Sequence, residues 1–297
     1  MVRRVLSLVS ARIAAGVLFV IVFLAVFGTY LAPQDPLAGG PDTLAGASWH
    51  HWLGTDYLGR DVLSRLLDGS RISVLGSVEV ALIALVVGAV PGILSVYLGR
   101  AFEWLTLRVA DTLIALPFLV FAVAVTALLG NGISQAMITV GVLISPLFYR
   151  VSRAATLAVA RSQYVEAAII SGASIGWIVR RHVWVKVLPP IAVALAQTVA
   201  IGFIVVSSLT FLGIGVQPPA PTWGGLLASD LRYLNYQPYA PITPIVIIMA
   251  TVWGCNQLAD AIRDVSGEAG RALVNTRKAR ANRVADLETV SAEGGAR

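Results

Sequence analysis

Ile13-Ala14-Ala15-Gly16-Val17-Leu18-Phe19-Val20-Ile21-Val22-Phe23-Leu24-Ala25-Val26-Phe27-Gly28-Thr29-Tyr30-Leu31 runs nineteen residues without a charge. A hydrocarbon core of about 30 Å needs roughly 20 helical residues, so this stretch is long enough to span a bilayer. Arg3, Arg4 and Arg12 precede it as in a secretory leader. It is nevertheless longer than a leader's apolar region of about 7–15 residues, and Ala32-Pro33-Gln34 is a poor cleavage site, so it reads as a retained helix. Working outward, five more segments qualify, near 72–98, 105–129, 133–150, 188–213 and 240–260. The runs are continuous and do not alternate, which favours helices over a barrel, since lipid leaves no partner for an unpaired backbone group. The sequence therefore predicts an all-α, polytopic membrane protein with six transmembrane helices.

Composition agrees. Apolar residues make up 57% of the chain and charged residues 13%, with a mean hydropathy of +0.79, outside the range of soluble domains. The single Cys255 lies inside the sixth segment, which rules out a disulfide within the chain and gives no thiolate metal site. Lys and Arg concentrate at the N-terminus, at Arg100 and Arg108, and between the fourth and fifth segments at Arg150, Arg153, Arg161, Arg180, Arg181 and Lys186. Such loops stay cytoplasmic. The predicted arrangement has both termini inside, and it makes the net charge of +6 a topology signal rather than a sign of nucleic-acid binding. The chain divides into a cytoplasmic N-terminus (1–12), a membrane domain (13–266) with a cytoplasmic loop at 151–187, and a tail (267–297). The tail has few large apolar groups and is expected to be disordered, either solvated or with Arg277-Lys278-Ala279-Arg280 on anionic headgroups.

The cytoplasmic loop holds a patterned polar stretch, Tyr164-Val165-Glu166-Ala167-Ala168-Ile169-Ile170-Ser171-Gly172-Ala173-Ser174. On a helix Tyr164, Ala167, Ala168 and Ser171 fall at i, i+3, i+4 and i+7, a stripe of mostly small side chains with Glu166 beside it. Gly172 suits a left-handed helix end, and Ser174 can cap a second short helix through His182 with Arg180 and Arg181 at its C-terminal end. A docking face for another protein and an amphipathic linker on the inner leaflet both fit these residues. Outside the membrane, Asp56/Arg60 and Asp61/Arg65 are acid-first i,i+4 pairs. With Leu58, Val62, Leu63, Leu66 and Leu67 they predict an amphipathic helix on the outer surface before the second segment. His50-His51 alone is a weak metal signal. Glu79 and Asp111 lie near the span ends, where local pairing, with Arg108 for Asp111, or interfacial solvation is expected. Gly88, Pro91-Gly92, Pro117, Pro146 and Gly202 mark places for kinks or close helix packing.

Glu166-Ala167-Ala168, three residues, then Gly172 resembles the "EAA" loop of the membrane subunits of binding-protein-dependent ABC importers. Further stretches resemble the dipeptide/oligopeptide/nickel permease family in order: His51-Trp52-Leu53-Gly54-Thr55-Asp56-Tyr57-Leu58-Gly59-Arg60-Asp61, Gly69-Ser70-Arg71-Ile72-Ser73, Asp111-Thr112-Leu113-Ile114-Ala115-Leu116-Pro117, Phe211-Leu212-Gly213-Ile214-Gly215-Val216-Gln217-Pro218-Pro219 and Pro221-Thr222-Trp223-Gly224. The resemblance covers about residues 50–265. It implies the type I ABC importer transmembrane (MetI-like) fold, in a bacterial inner membrane, carrying di- or oligopeptides, or alternatively haem or nickel complexes. It implies that Tyr164, Glu166, Ala167, Ala168, Ser171, Gly172 and Ser174 couple to one or two separate ABC ATPase subunits. It also implies that the outer mouth, with Asp56, Arg60, Asp61 and Trp223, docks an extracytoplasmic substrate-binding protein, and that a second homologous permease completes the path. The chain would carry no catalytic residue, metal or cofactor, ATP and magnesium belonging to the partner ATPases. In keeping with this, the sequence has no G-x-x-x-x-G-K-[ST] loop. An ion-coupled secondary transporter would need inverted repeats and midplane charges, and no convincing internal repeat is found. The family commonly ends this loop in Leu-Pro, where this chain has Trp184-Val185. The later Leu188-Pro189-Pro190 is expected to stop the second short helix before the fifth span.

Overall fold

The computed structural model describes Val5, residues 8–130 and residues 132–267. The predicted tail, from residue 268 onward, lies outside the described residues. Among the described residues the fold is carried by α1 (Val9–Leu31), α2 (Val62–Leu94), α3 (Arg100–Ala115), α4 (Phe118–Leu128), α5 (Ile133–Ala160), α6 (Gln163–Ile170), α7 (Ile175–Ile178), α8 (Trp184–Phe211), α9 (Trp223–Arg232) and α10 (Ile242–Gly267). A π-helical turn, Val179–Val183, joins α7 to α8. The all-α prediction holds.

Five of these helices, α1, α2, α5, α8 and α10, are long and apolar enough to cross a membrane. The third predicted span differs from expectation. Instead of one helix over 105–129 it is a pair, α3 and α4, bent by 99° at Leu116-Pro117. The proline ring fixes φ and has no N–H to continue the ladder of α3, so the chain turns there. Pro91 and Pro146, by contrast, stay inside α2 and α5.

The outer half of α2 is the second difference. Residues 62–71 do not form a separate helix lying on the surface. They are the first three turns of the 33-residue α2, started by Asp61, whose carboxylate accepts from the Ser64 amide at 2.8 Å. Leu66 joins Trp223, Phe203, Ile21 and Ala25 in one apolar cluster.

At the centre, α2 packs along α5 and then on α1 and α8. Small residues allow the approach: a Cβ at Gly88 would overlap the Ser145 carbonyl, and one at Gly92 the Ser152 hydroxyl. Such close backbone contact is how membrane helices associate when lipid supplies no hydrophobic drive. The largest apolar cluster runs from Ala136 and Val140 of α5 inward to Val159, Val165, Ile178, Val183 and Val187. The short helices between α5 and α8 are thereby rooted in the same core as the spans. The 28 residues of α5, roughly 42 Å, set two candidate regions at opposite ends of the bundle.

Candidate functional site

At one end α5 stops at Ala160, and extended Ser162 turns the chain into α6. Val165, only 1% exposed, pins α6 to the core. The helix closes with two backbone bonds, Gly172 N–H to Ile169 at 2.9 Å and Ala173 N–H to Ala168 at 3.0 Å. Together with Gly172 at φ +79° these make a Schellman ending, with Ala168 and Ala173 packed on the core beside it. Ser174 Oγ then accepts from the Trp177 amide at 3.3 Å, at the start of α7. Two short helices therefore meet at a corner whose sharpness is set by the backbone of a single glycine.

Two expectations for this corner fail. The small-residue stripe is split, because Ala168 turns toward the core while Tyr164, Glu166, Ala167 and Ser171 stay exposed. Likewise the second short helix does not end at His182 or at Leu188-Pro189-Pro190. From Ile175 it continues through the π turn, where the Trp184 amide reaches the Val179 carbonyl, into α8, with both prolines inside. Trp184 and Val185 carry the N–H groups that a Leu-Pro pair would partly remove. The carbonyls left without donors by Pro189 and Pro190 are those of Val185 and Lys186, both on exposed residues that water can serve. The basic groups Arg180 and Arg181 therefore sit inside a continuous rod instead of at a helix end.

Sequence reasoning passed over Ile169 and Ile170. They are 59% and 82% exposed at the tip of α6, beyond the spans. Two adjacent large apolar groups in a polar loop were the available signal, since such a pair has no reason to face water.

Behind the corner, Arg153 of α5 reaches Glu103 of α3 at 2.5 Å and the Ser95 hydroxyl, just past α2, at 3.1 Å. Arg150 pairs with Asp111 at 2.9 Å. Asp111 is thus paired, but across to Arg150 of α5 and not locally with Arg108, which lies over the Trp104 ring. Glu79 is half-buried and has no ion pair among the described residues, which leaves interfacial solvation of the two expected alternatives.

At the other end, residues 54–61 form a tight turn between Gly54 (φ +79°) and Gly59 (φ +72°), closed by a Thr55–Asp61 bridge. The i,i+4 spacing of Asp56 and Arg60 arises here, in a turn and not in a helix. Asp56 Oδ1 accepts from the Leu58 and Arg60 amides at 2.9 and 3.0 Å, and its Oδ2 holds the Arg60 guanidinium at 2.7 Å. Arg65 pairs with Asp56 at 3.5 Å instead of with Asp61, and its Nη1 donates to the Pro36 carbonyl at 2.9 Å. Asp61 binds His51 Nδ1 at 3.0 Å. Across the mouth, Trp223 donates from its indole to the Leu66 carbonyl at 3.1 Å and stacks on Phe203, and Gln237 ties α9's far side to Ala45 and Thr55.

Asp56, Arg60, Asp61 and Trp223 are 5%, 6%, 1% and 0% exposed. They hold the mouth's shape and do not present free side chains for docking. Asp230 of α9 is buried beside them with one carboxylate oxygen unpartnered, and burial first, then Asp56, pushes its carboxyl up to about 6 against the opposing pull of Arg65. No three His, Cys, Asp or Glu side chains converge on a metal-sized site among the described residues.

Comparison with known proteins gives a consistent result. Residues 71–268 match the family described as binding-protein-dependent transport system inner membrane component. The chain is 34% identical to the glutathione transport system permease protein GsiD of Pectobacterium atrosepticum, with 85% of each chain covered. It is 35% identical to the di/tripeptide transport system permease protein DppC of Pseudomonas aeruginosa, over 84% of this chain and 85% of that one. Among solved structures, an inward-facing form of the MetNI methionine ABC transporter matches with a TM-score of 0.56 and 19% identity, covering 69% of this chain and 96% of the other, which establishes the fold. The chain belongs to the binding-protein-dependent transport system inner membrane component family and is a multi-pass permease subunit of an ABC importer.

Proposed function

We propose that this permease forms one half of a path for di- and oligopeptides, including small ones of the glutathione type, delivered by an extracytoplasmic binding protein. The names of its relatives support a peptide cargo. A second, homologous permease supplies the other half, and both termini lie in the cytoplasm, as the placement of Lys and Arg favours. ATP and magnesium act on separate ATPase subunits, one of which receives α6.

The observation that carries this reading is the corner at Gly172: α6 is anchored by buried Val165 and tipped by exposed Ile169 and Ile170. A groove on an ATPase would bury that tip. Because α7 runs unbroken into α8, a push on the corner reaches a span directly, and the Arg153–Glu103 pair passes it on to α3. Shifting a transporter from 99:1 to 1:99 between two states takes about 5.5 kcal/mol of differential stabilisation, so the contact must move a rigid body and not merely adhere. Glu166→Lys or Gly172→Trp is expected to lower ATPase assembly or transport-coupled hydrolysis while membrane insertion stays intact. Normal coupling in both purified variants contradicts the assignment.

A further inference from the structure

The outer mouth encloses a cavity of about 220 Å³ that the coupling mechanism does not use. Arg60, Arg65 and Arg232 of α9 line it, together with Tyr57 and Tyr233, whose rings stack at 5.1 Å. Among the described residues no carboxylate lines it. Two acids lie near Arg65 without lining the cavity: Asp56 spends Oδ1 on two amides and Oδ2 on Arg60, and Asp230, buried in α9 and felt by Arg65, keeps one oxygen without a hydrogen bond. Two guanidiniums thus share Asp56, and the buried Arg65 Nε lies 3.5 Å from Asp56 Oδ2 in an ion pair that makes no hydrogen bond. Arg232 is exposed at the rim and has no ion pair among the described residues. A buried guanidinium N–H that reaches its carboxylate only at that length is under-satisfied, and the planar fork matches a further carboxylate. The remaining wall is the end of α8, the 213–222 segment and Gly225, Leu226, Ala228 and Ser229 of α9, mostly small or apolar groups that leave room for a methylene-sized group. At about 30 Å³ per water the space equals about seven waters, the size of one peptide end and not of a whole oligopeptide.

We propose that this cavity receives the terminal carboxylate of the cargo peptide as it leaves the binding protein, Arg65 and Arg232 closing on its two oxygens. The assignment rests on the peptide-cargo reading above. It is favoured over a docking knob of the binding protein because two of the three arginines lie deep in the wall, and because the cavity abuts the last turn of α8, the span joined to the cytoplasmic corner.

The test uses the complete complex in nanodiscs, without binding protein and trapped outward-facing with ATP and vanadate, titrated with dialanine and with dialanine amide. Dialanine should bind the wild type about tenfold more tightly than the amide does, and Arg232→Gln should remove that difference while Arg232→Lys retains part of it. Equal binding of acid and amide, or an Arg232→Gln variant that binds dialanine normally, overturns the proposal. So does an Arg232→Gln variant whose only defect is a higher binding-protein requirement for uptake, since the cavity would then belong to the docking protein. Dialanine uptake by the wild-type complex with binding protein reports separately on the cargo: with uptake present and no carboxylate dependence, only the cavity assignment fails, and with uptake absent the peptide reading fails and takes the cavity with it.

Discussion

The two ends of the permease are built by opposite means. The outer mouth is interlocked through side chains: an aspartate between two buried arginines, a histidine on a helix cap, and an indole bonded to a carbonyl 157 residues away in sequence. At the opposite end the corner is held mostly by backbone bonds around one left-handed glycine and by a few buried aliphatic groups, Val165, Ile178 and Val183. Taking charges out of water is costly, so the mouth's network is stable only while every partner is present. A backbone-capped corner with an apolar tip lacks that dependence and can be lifted as a unit. The difference separates a region that keeps its shape from one suited to transmit motion.

Asp56→Ala attacks the mouth most directly. It strands Arg60 and Arg65 as buried charges and is expected to cost about 3–5 kcal/mol, seen as lost folded yield or a large fall in melting temperature. Asp230→Asn works in the other sense. The folded state holds the Asp230 proton up to a pH of about 6 against an ordinary 3.8, so this group's contribution to stability is greatest below pH 4, falls as the pH rises to about 6, and levels off above it. Asn removes that slope and gains at most about 3 kcal/mol at pH 7.5, measured by melting between pH 4.5 and 7.5. Gly172→Ala places a side chain at φ +79° and costs about 1–2 kcal/mol locally, so it should lower coupled hydrolysis far more than it shifts melting. Ile170→Ser lies at the small end for stability, within about 0.5 kcal/mol, yet should weaken ATPase assembly. A corner variant that unfolds the chain, or an Asp56 variant that leaves it intact, would erase the contrast.

The spans were legible because long uncharged runs admit few alternatives, and the glycine corner because Gly172 has a local job. The outer start of α2 was hidden by Arg65, Asp68 and Arg71, charges that read as surface until Asp56, Pro36 and Thr29 are seen to receive the first two. The same acid-first spacing that suggests a helix at Asp56 and Arg60 also suits a turn, and the flanking Gly54 and Gly59 were the sign of it. Pro189 and Pro190 were overread: a proline stops a helix only where the freed carbonyls lack another partner, and here exposed backbone meets water. At Pro117 the break itself was readable, but its angle depends on where α4 packs against α5, a tertiary contact.

Whether α6 is the part that touches the ATPase is tested most directly by Ile170→Cys in the assembled importer. Cys255 is buried in α10, so the new thiol is the accessible one. With a short thiol-to-amine cross-linker, Ile170→Cys should yield a covalent adduct with the ATPase subunit, and Tyr30→Cys at the outer end of α1 should yield none. An adduct absent at Ile170 in a complex that still hydrolyses ATP in response to loaded binding protein contradicts the account.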